Sequence, residues 1–308
     1  MTRLAGIDLG GTKIQGVVVV DGIVVADKKV PTPGTGGANI AFAIAEMVSA
    51  MGGDVAGIGI GAPGVIDRER GAVLAAPNLA IDSSVALTDL VADLSGVDRE
   101  RVVLDNDVNA GTIAEHRLGA AVGATDVLCV FVGTGVGGGF VLDGALRRGA
   151  RGLTGEIGHV VVRDGGRRCG CGGLGHLESY AGRRCLEEEA RRLHAGGRKT
   201  ALVQIAGDDR MKSSVFLKAL DAGDEVAHEL IAEAVEALGA ALASAVAMID
   251  LDLIVLGGGL AGKLGDPFVA RVEDAVRRRL FVPSLPLRVV PAALGDLGGA
   301  VGAALLLS

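Results

Sequence analysis

The sequence predicts an α/β protein built from two similar halves that flank a cleft. Apolar runs typical of strands alternate with helical patterns along its 308 residues, an order that favours this fold class. The runs at 4–10 and 14–20 are separated by a glycine turn and followed by Asp21-Gly22, a strong hairpin signal. Residues 127–143 repeat this plan and end in Asp143-Gly144. We therefore expect an internal duplication, and the alternative is a chance resemblance between glycine-rich hairpins.

The remaining elements follow from periodicity and from helix-start signals. Residues 102–104 form an apolar run, after which 108–118 have the pattern of a helix. Apolar residues recur at spacings of one, three and four between Val226 and Ile249, which predicts a long amphipathic helix. It leads into a buried strand at 253–256.

No low-complexity linker divides the chain, so we expect the domain boundary to be a hinge near Arg117–Ala124. The predicted small N-terminal α/β domain covers 1–117, and the large α/β domain covers 118–296 and includes a metal loop at 159–176. A C-terminal helix at about 297–308 is expected to pack back on the first domain.

Composition excludes several classes of protein. The chain is 49% hydrophobic and 22% charged, which is typical of a globular protein, and its net charge of −7 argues against nucleic acid as a partner. No uncharged stretch is longer than Val127–Leu142, which is shorter than the ~20 residues of a membrane-spanning helix. Four cysteines and no recognisable secretory segment at the start indicate a reducing compartment, so we expect the cytoplasm and no membrane partner.

Three glycine-rich turns are predicted after apolar strands, and they predict phosphate binding: Gly10-Gly11-Thr12-Lys13, Gly133 to Gly139, and Gly257-Gly258-Gly259. Glycine lets backbone N–H groups approach an anionic oxygen. The third resembles a Walker A loop, but Leu264 stands where magnesium ligation requires Ser or Thr. The second has dinucleotide spacing, yet the next strand begins at once, with no helix for a pyrophosphate. Both of those motifs are therefore rejected.

Carboxylates precede the first glycine turn and end the strand near residue 104. Asp8 either holds the Mg²⁺ of a nucleotide or bonds to nearby backbone N–H groups, and the sequence leaves both open. Asp107 either caps the following helix or takes the proton of an attacking hydroxyl. Asn106 offers a donor and an acceptor to a sugar hydroxyl.

Two histidines and two cysteines lie between Glu156 and Glu178: His159, Cys169, Cys171 and His176. Imidazole nitrogen and thiolate sulfur are the ligands that tetrahedral Zn²⁺ prefers. Four protein ligands leave no position for water, so we expect a structural rather than a hydrolytic zinc. The alternative is a pair of exposed cysteines with unrelated histidines.

The chain resembles the ROK family of sugar kinases and sugar-responsive repressors, which have the actin-like ATPase (ribonuclease H-like, duplicated) fold. Five motifs carry the resemblance in order: Ile7 to Lys13, Asp105 to Ala110, Gly133 to Gly139, Gly155 to His159 and Cys169 to Gly172. It implies ATP-dependent phosphorylation of a hexose or its N-acetyl derivative, usually at C6, by a protein that often dimerises. We therefore expect a homodimer.

The resemblance also implies a role for each matching residue. Asp107 is the expected catalytic base and, with Asn78, Asn106, Glu156, His159 and Glu178, binds the sugar. Nucleotide ligands are expected at Asp8, Gly10, Gly11, Thr12, Lys13, Gly133, Thr134, Gly135, Gly137, Gly138, Gly257, Gly258 and Gly259, with Mg²⁺. His159, Cys169 and Cys171 match the family's zinc ligands.

Two positions depart from the family pattern. His176 occupies the place of the usual fourth zinc cysteine, and the tryptophan often found after Pro-Asn-Leu is absent. Glucose is the leading substrate, with N-acetylmannosamine, N-acetylglucosamine, fructose and allose as alternatives. A sugar-sensing repressor is disfavoured because the first phosphate motif begins at Gly6 with no room for a helix-turn-helix. A catalytically silent sugar-binding protein is disfavoured by the intact Asp8, Asp107 and Thr134.

Overall fold

The first half of the chain is a five-stranded sheet with helices packed on it. The computed structural model describes residues 2–76, 79–82 and 84–308. In this half the elements are β1 (Arg3–Leu9), β2 (Lys13–Val20), β3 (Ile23–Pro31), α1 (Gly37–Ala50), β4 (Ile58–Ala62), β5 (Val65–Asp67), β6 (Ala72–Ala75), α2 (Leu87–Ser95), β7 (Val102–Asn106) and α3 (Asp107–Leu118).

The second half is a larger unit with a second five-stranded sheet. Its elements are β8 (Val127–Val132), β9 (Val136–Leu142), β10 (Ala145–Arg147), α4 (Glu178–Ala181), α5 (Arg183–Ala195), α6 (Ala201–Ala206), α7 (Ser213–Asp221), α8 (Glu225–Ile249), β11 (Leu253–Gly257), α9 (Gly258–Leu264), α10 (Asp266–Arg277), β12 (Arg288–Pro291) and α11 (Gly298–Leu305). Short 3₁₀ turns lie at Arg99–Arg101, Ile157–His159 and Gly295–Leu297.

The two sheets have the same topology, which confirms the predicted duplication. Their strand orders are β3-β2-β1-β4-β7 and β10-β9-β8-β11-β12. In each sheet the first three strands in sequence pair antiparallel, and the last two join in parallel. Both predicted hairpin turns form, with positive φ at Asp21, Gly22, Asp143 and Gly144, as a type I′ turn requires. A chance resemblance of two local hairpins does not explain five matched strands.

Helix α8 is the centre of the larger hydrophobic core. Among the described residues it is the helix whose length and composition would allow it to cross a membrane. Its side chains from Val226 to Val246 pack instead against buried residues of α10 and β11, including Ala275 and Ile254. The apolar character of α8 is therefore explained by its place inside the second half.

The chain passes between the two halves twice. Residues 119–126 lead from α3 to β8, and residues 292–297 lead from β12 to α11. Helix α11 then packs on α3, β1 and β4 of the first half. A Cβ at Gly6 or Gly59 would collide with the α11 carbonyls of Ala300 and Ala303. These two glycines therefore allow the C-terminal helix to lie directly on the first sheet.

Candidate active site

A cleft of about 800 Å³ lies between the two halves. The first half contributes Asp8, Lys13, Asp107, Val108, Gly111 and Glu115. The second half and the returning chain contribute Phe131, Leu256, Gly257, Gly258, Gly259, Ala261, Gly262, Lys263, Gly265, Asp266, Pro291, Ala292, Gly295, Asp296, Gly298 and Gly299. One wall thus carries three carboxylates and a lysine, and the opposite wall is mostly glycine and apolar side chains, with Lys263, Asp266 and Asp296 as its charged residues.

Asp107 is the first residue of α3, directly after the buried strand β7. The helix is capped by Asn106, whose Oδ1 accepts hydrogen bonds from the N–H groups of Val108 at 2.9 Å and Asn109 at 3.3 Å. Its amide also donates to the carbonyl of Gly64 at 3.2 Å. Asp107 accepts one bond from Val108 through Oδ1. Because Asn106 is the N-cap, helix capping does not explain why position 107 carries a carboxylate.

The surroundings of Asp107 favour its protonated form. Burial, together with the nearby carboxylates of Asp8 and Glu156 and against the opposing N–H groups of Val108 and Asp107, raises the pKa of this carboxyl to about 6. Burial also raises the pKa of Asp8, against the attraction of Lys13. Asp8 and Asp107 thus lie on one wall of the cleft, close enough for Asp8 to raise the pKa of Asp107, and two neighbouring carboxylates of this kind can share a cation.

The first glycine turn brings Lys13 to the cleft. The N–H of Gly10 donates to the carbonyl of Lys13 at 3.0 Å, which closes the turn between β1 and β2. The hydroxyl of Thr32 donates to the carbonyl of Gly10 at 2.6 Å. With both carbonyls occupied, the turn is held in a single geometry beside Asp8.

The second glycine turn is held by residues from outside it. The N–H of Gly133 donates to the carbonyl of Gly135 at 2.9 Å. Arg183 donates its backbone N–H to the carbonyl of Gly133 at 3.0 Å and its guanidinium to the hydroxyl of Thr134 at 2.8 Å. The carboxylate of Glu178 accepts from the N–H of Val136 at 3.0 Å. The turn is thereby fixed from both sides.

The third glycine segment was predicted as a turn, and that description of it is wrong. Gly257 ends β11, and α9 begins at Gly258 with no intervening turn. Gly258 has φ of +87°, and a Cβ there would lie 2.6 Å from the backbone of Val132. Glycine is thus required because the strand passes into the helix in close contact with β8. The three glycines still line the cleft as expected.

The four predicted metal ligands lie together. The ligand atoms of His159, Cys169, Cys171 and His176 all fall within 4.8 Å of one another. Nδ1 of His159 is 3.9 Å from Sγ of Cys169, and Nδ1 of His176 is 3.2 Å from Sγ of Cys171. A tetrahedral zinc with bonds of about 2.0–2.3 Å spaces its ligand atoms roughly 3.3–3.8 Å apart. The cluster therefore has the donor set and nearly the spacing of a closed zinc site.

The thiol of Cys169 needs a nearby cation in order to ionise at neutral pH. Burial raises the pKa of Cys169 to about 11. A thiol with that pKa stays protonated at neutral pH unless a cation stabilises the thiolate. The four residues of this cluster thus fit zinc. His176 takes the place at which the family resemblance led us to expect a cysteine.

The predicted sugar ligands form a chain from Asp107 to the metal cluster. Glu156 is close enough to Asp107 to raise its pKa, and Oε2 of Glu156 lies 3.8 Å from Nε2 of His159. Oε1 of Glu178 lies 3.7 Å from Sγ of Cys169. Asn78, also predicted to bind the sugar, lies outside the described residues.

Sequence reasoning missed two buried carboxylates beside this site. Asp105 is 2% exposed and accepts from Arg148 at 2.6 Å and from Arg68 at 3.3 Å. Glu115 is also 2% exposed. It lies on the same side of α3 as Val108 and Gly111, and a charged residue on the apolar side of a helix was the signal that could have revealed it.

The family comparison covers almost the whole chain. The model described as "ROK family" matches residues 4–308. A glucokinase from Streptomyces coelicolor is 35% identical over 97% of this chain and 95% of its own length. An N-acetyl-D-glucosamine kinase from Salmonella schwarzengrund is 32% identical over 98% of each chain.

A solved structure agrees with the fold. The crystal structure of a ROK family glucokinase from Streptomyces griseus, in complex with glucose and AMPPNP, superposes with a TM-score of 0.84 and 35% identity. The match covers 99% of this chain and 98% of that one. The two-sheet architecture is thus shared with a protein that holds a sugar and a nucleotide analogue together.

Proposed function

The chain belongs to the ROK family, and on that premise we propose that it is an ATP-dependent sugar kinase. The reaction is transfer of the terminal phosphoryl group of ATP to a hexose hydroxyl, with C6 of glucose as the first candidate. The observation that carries the proposal is the placement of Asp107. This carboxylate begins α3 in the same cleft as Asp8, Lys13 and the glycine-lined wall.

Asp107 is proposed as the catalytic base. Its pKa of about 6 leaves about nine-tenths of the carboxylate ionised at neutral pH, yet makes it more basic than an ordinary aspartate. The carboxylate accepts the proton of the attacking hydroxyl and aligns that oxygen with the terminal phosphorus. Positioning of this kind supplies much of the rate in phosphoryl transfer, whose transition state is loose.

The glycine segments are proposed to hold the nucleotide. Backbone N–H groups in the two turns, at Gly11–Thr12 and Thr134–Gly135, are proposed to bind phosphate oxygens, Lys13 adds a positive charge, and Gly257–Gly259 leave room for the adenosine. Asp8 and Asp107 fit Mg²⁺ because their carboxylates line one cleft and are close enough for Asp8 to raise the pKa of Asp107. When bound, Mg²⁺ neutralises charge that develops on the triphosphate.

The metal loop is proposed as a structural zinc site that shapes the sugar pocket. With Nδ1 of His159 directed to the cluster, Nε2 faces Glu156 and is available to a sugar hydroxyl. Glu156, Glu178, Asn106 and Asn78 complete the proposed sugar contacts.

We propose that the halves correspond to domains at 1–117 and 118–296, with residues 297–308 returning to the first. Support comes from the two separate sheets and from the packing of α11 on β1 and β4. Limited proteolysis with mass spectrometry tests the boundary, since the first cleavages between stable fragments should fall at 119–126 or 292–297.

We also propose that the protein works in the cytoplasm as a homodimer. The four cysteines, all among the described residues, form no disulfide, which suits a reducing compartment. Phe281 is 95% exposed and Met248 is 84% exposed, and large apolar side chains of this kind are often covered in an assembly. Light scattering over a concentration series would test the dimer.

The deciding experiment is a coupled ADP-release assay over a panel of hexoses and N-acetylhexosamines, with MgATP and zinc-replete protein. A single sugar with kcat/KM at least about tenfold above the others would identify the substrate. N-acetylglucosamine is the second candidate because a relative of that activity aligns over 98% of this chain. No ADP release with any sugar, from folded protein, would refute the kinase proposal.

A further inference from the structure

Glu115 is a buried carboxylate to which the proposed reaction assigns no role. It lies in the last turn of α3 and is 2% exposed. An ionised carboxylate in such a place is costly unless its oxygens accept hydrogen bonds. Its bonding partners are therefore informative.

All the bonds to this carboxylate come from the two segments that connect the halves. In the first segment, the N–H of Ala120 donates to Oε2 at 2.8 Å. In the second, the N–H of Ala293 lies 3.1 Å from each oxygen, and the N–H of Leu294 donates to Oε1 at 3.0 Å. One side chain thus joins the chain leaving the first half to the chain returning to it.

Each segment leads directly to a wall of the cleft. Asp107, the proposed base, begins the helix whose last turn carries Glu115. Beyond Leu294, the chain makes one 3₁₀ turn and enters α11 at Gly298, and a Cβ at Gly299 would lie 3.1 Å from Oδ2 of Asp8. A displacement at Glu115 therefore moves α3 and the start of α11 relative to each other.

We propose that Glu115 is a positioning residue that pins the hinge between the two halves. It keeps the two connecting segments at a fixed separation, so that the halves close on sugar and nucleotide as rigid units about this point. Only the measurement of closure with sugar and nucleotide rests on the proposed kinase function. The pinning itself concerns three backbone N–H groups and is measurable without any substrate.

Glu115→Gln is the direct test, because the side chain keeps its size while one oxygen becomes an NH₂ group. In either orientation that NH₂ faces at least two of the three backbone donors. We expect hydrogen–deuterium exchange at Ala120, Ala293 and Leu294 to accelerate about tenfold or more. Glu115→Asp retains the charge and should recover part of the protection.

Asp224→Asn is the matched control. Asp224 accepts from the N–H groups of Ala201 at 2.7 Å and Ala227 at 2.8 Å, so it joins two helices within the second half alone. This variant should lose melting temperature and accelerate exchange at 201 and 227. It should leave exchange at the hinge unchanged.

Closure is measured as the ratio of the nucleotide Kd without sugar to the Kd with sugar, using AMPPNP and the best substrate from the panel. We expect Glu115→Gln to reduce this ratio about fivefold or more and Asp224→Asn to leave it unchanged. Unaltered exchange at the three amides overturns the proposal. So does a variant that loses melting temperature but keeps the wild-type ratio, since Glu115 would then be only structural. A wild type that phosphorylates no hexose refutes the kinase function, while the exchange result still decides the pinning.

Discussion

The raised pKa of Asp107 predicts that its replacement stabilises the protein while destroying activity. The folded carboxyl has a pKa of about 6 against an ordinary 3.8, a difference of about 2.2 pH units that corresponds to about 3 kcal/mol. Between these two values the folded state binds more protons than the unfolded state. Wild-type stability therefore falls as pH rises through about 4 to 6, and the full cost is present above pH 6.

Asp107→Asn keeps the shape and an acceptor for the N–H of Val108 but removes this cost. We expect its melting temperature to exceed that of the wild type by about 5 °C at pH 7–8, with the gain shrinking to zero near pH 4. Its kcat should fall by about 10²–10⁴-fold, the usual contribution of a general base. In the wild type, kcat/KM for the sugar should fall tenfold per pH unit below about pH 6.

Thermal unfolding between pH 4 and 8, without nucleotide, sugar or added magnesium, is the assay. Asp252→Asn is the control of opposite sign, since hydrogen bonds from Thr125 and Asp126 lower the pKa of this exposed carboxyl. Loss of the Asp252 carboxylate should lower the free energy of unfolding slightly at pH 7 and leave it unchanged at low pH. The reasoning about burial is refuted if Asp107→Asn is no more stable than the wild type at pH 8 while the control behaves as expected.

Three further changes test the metal loop and the cleft. His176→Ala should abolish stoichiometric zinc and raise the sugar KM, whereas His176→Cys should retain one zinc per chain. Elemental analysis measures the zinc, and zinc retained in the alanine variant would exclude His176 as a ligand. Gly299→Ala, whose Cβ would lie 3.1 Å from Oδ2 of Asp8, should lower kcat about tenfold or more with little change in melting temperature. Gly34→Ala, in the loop before α1, where a Cβ meets open space away from the cleft, is the control that should keep full activity. Arg183→Ala, by releasing the second glycine turn, should raise the KM for ATP several-fold and leave the sugar KM nearly unchanged. Equal increases in the two KM values would count against a role of Arg183 in holding the nucleotide turn.

Local signals in the sequence were enough to predict most of the fold. The hairpin turns at Asp21-Gly22 and Asp143-Gly144 depend on residues that adopt positive φ, and both form as expected. The long helix at 226–249 follows from apolar spacing that tertiary contacts reinforce. Because each repeat of strand, glycine turn and strand is specified locally, the duplication could be read before any long-range contact was known.

The errors and omissions arise where long-range packing decides the structure. Glycine is a poor helix former, so Gly257–Gly259 indicated a turn, whereas close contact with β8 requires glycine at the point where α9 starts. The sequence did not distinguish Asn106 from Asp107 as the cap, because both residue types serve. The partners of Asp105 and Glu115 come from distant segments, and no local pattern predicts which backbone groups will meet a buried carboxylate.

The duplication also allows equivalent positions on the two walls of the cleft to be compared. Asp8 lies two residues before the glycine turn after β1, and Phe131 lies two residues before the glycine turn after β8. Equivalent positions of the two sheets therefore place a carboxylate on one wall and an aromatic ring on the other.

The residue after each turn differs in the same sense, since β2 begins with Lys13 and β9 with Val136. Asp8 and Lys13 thus lie beside the proposed base, where a triphosphate, a cation and a hydroxyl must meet. The charged residues of the opposite wall, Lys263, Asp266 and Asp296, lie on α9, at the start of α10 and in the last 3₁₀ turn. The apolar counterpart, with Phe131 against Gly257, suits the nucleoside. The duplicated scaffold therefore carries different residue types at equivalent positions of its two sheets, and the reaction that we propose requires both.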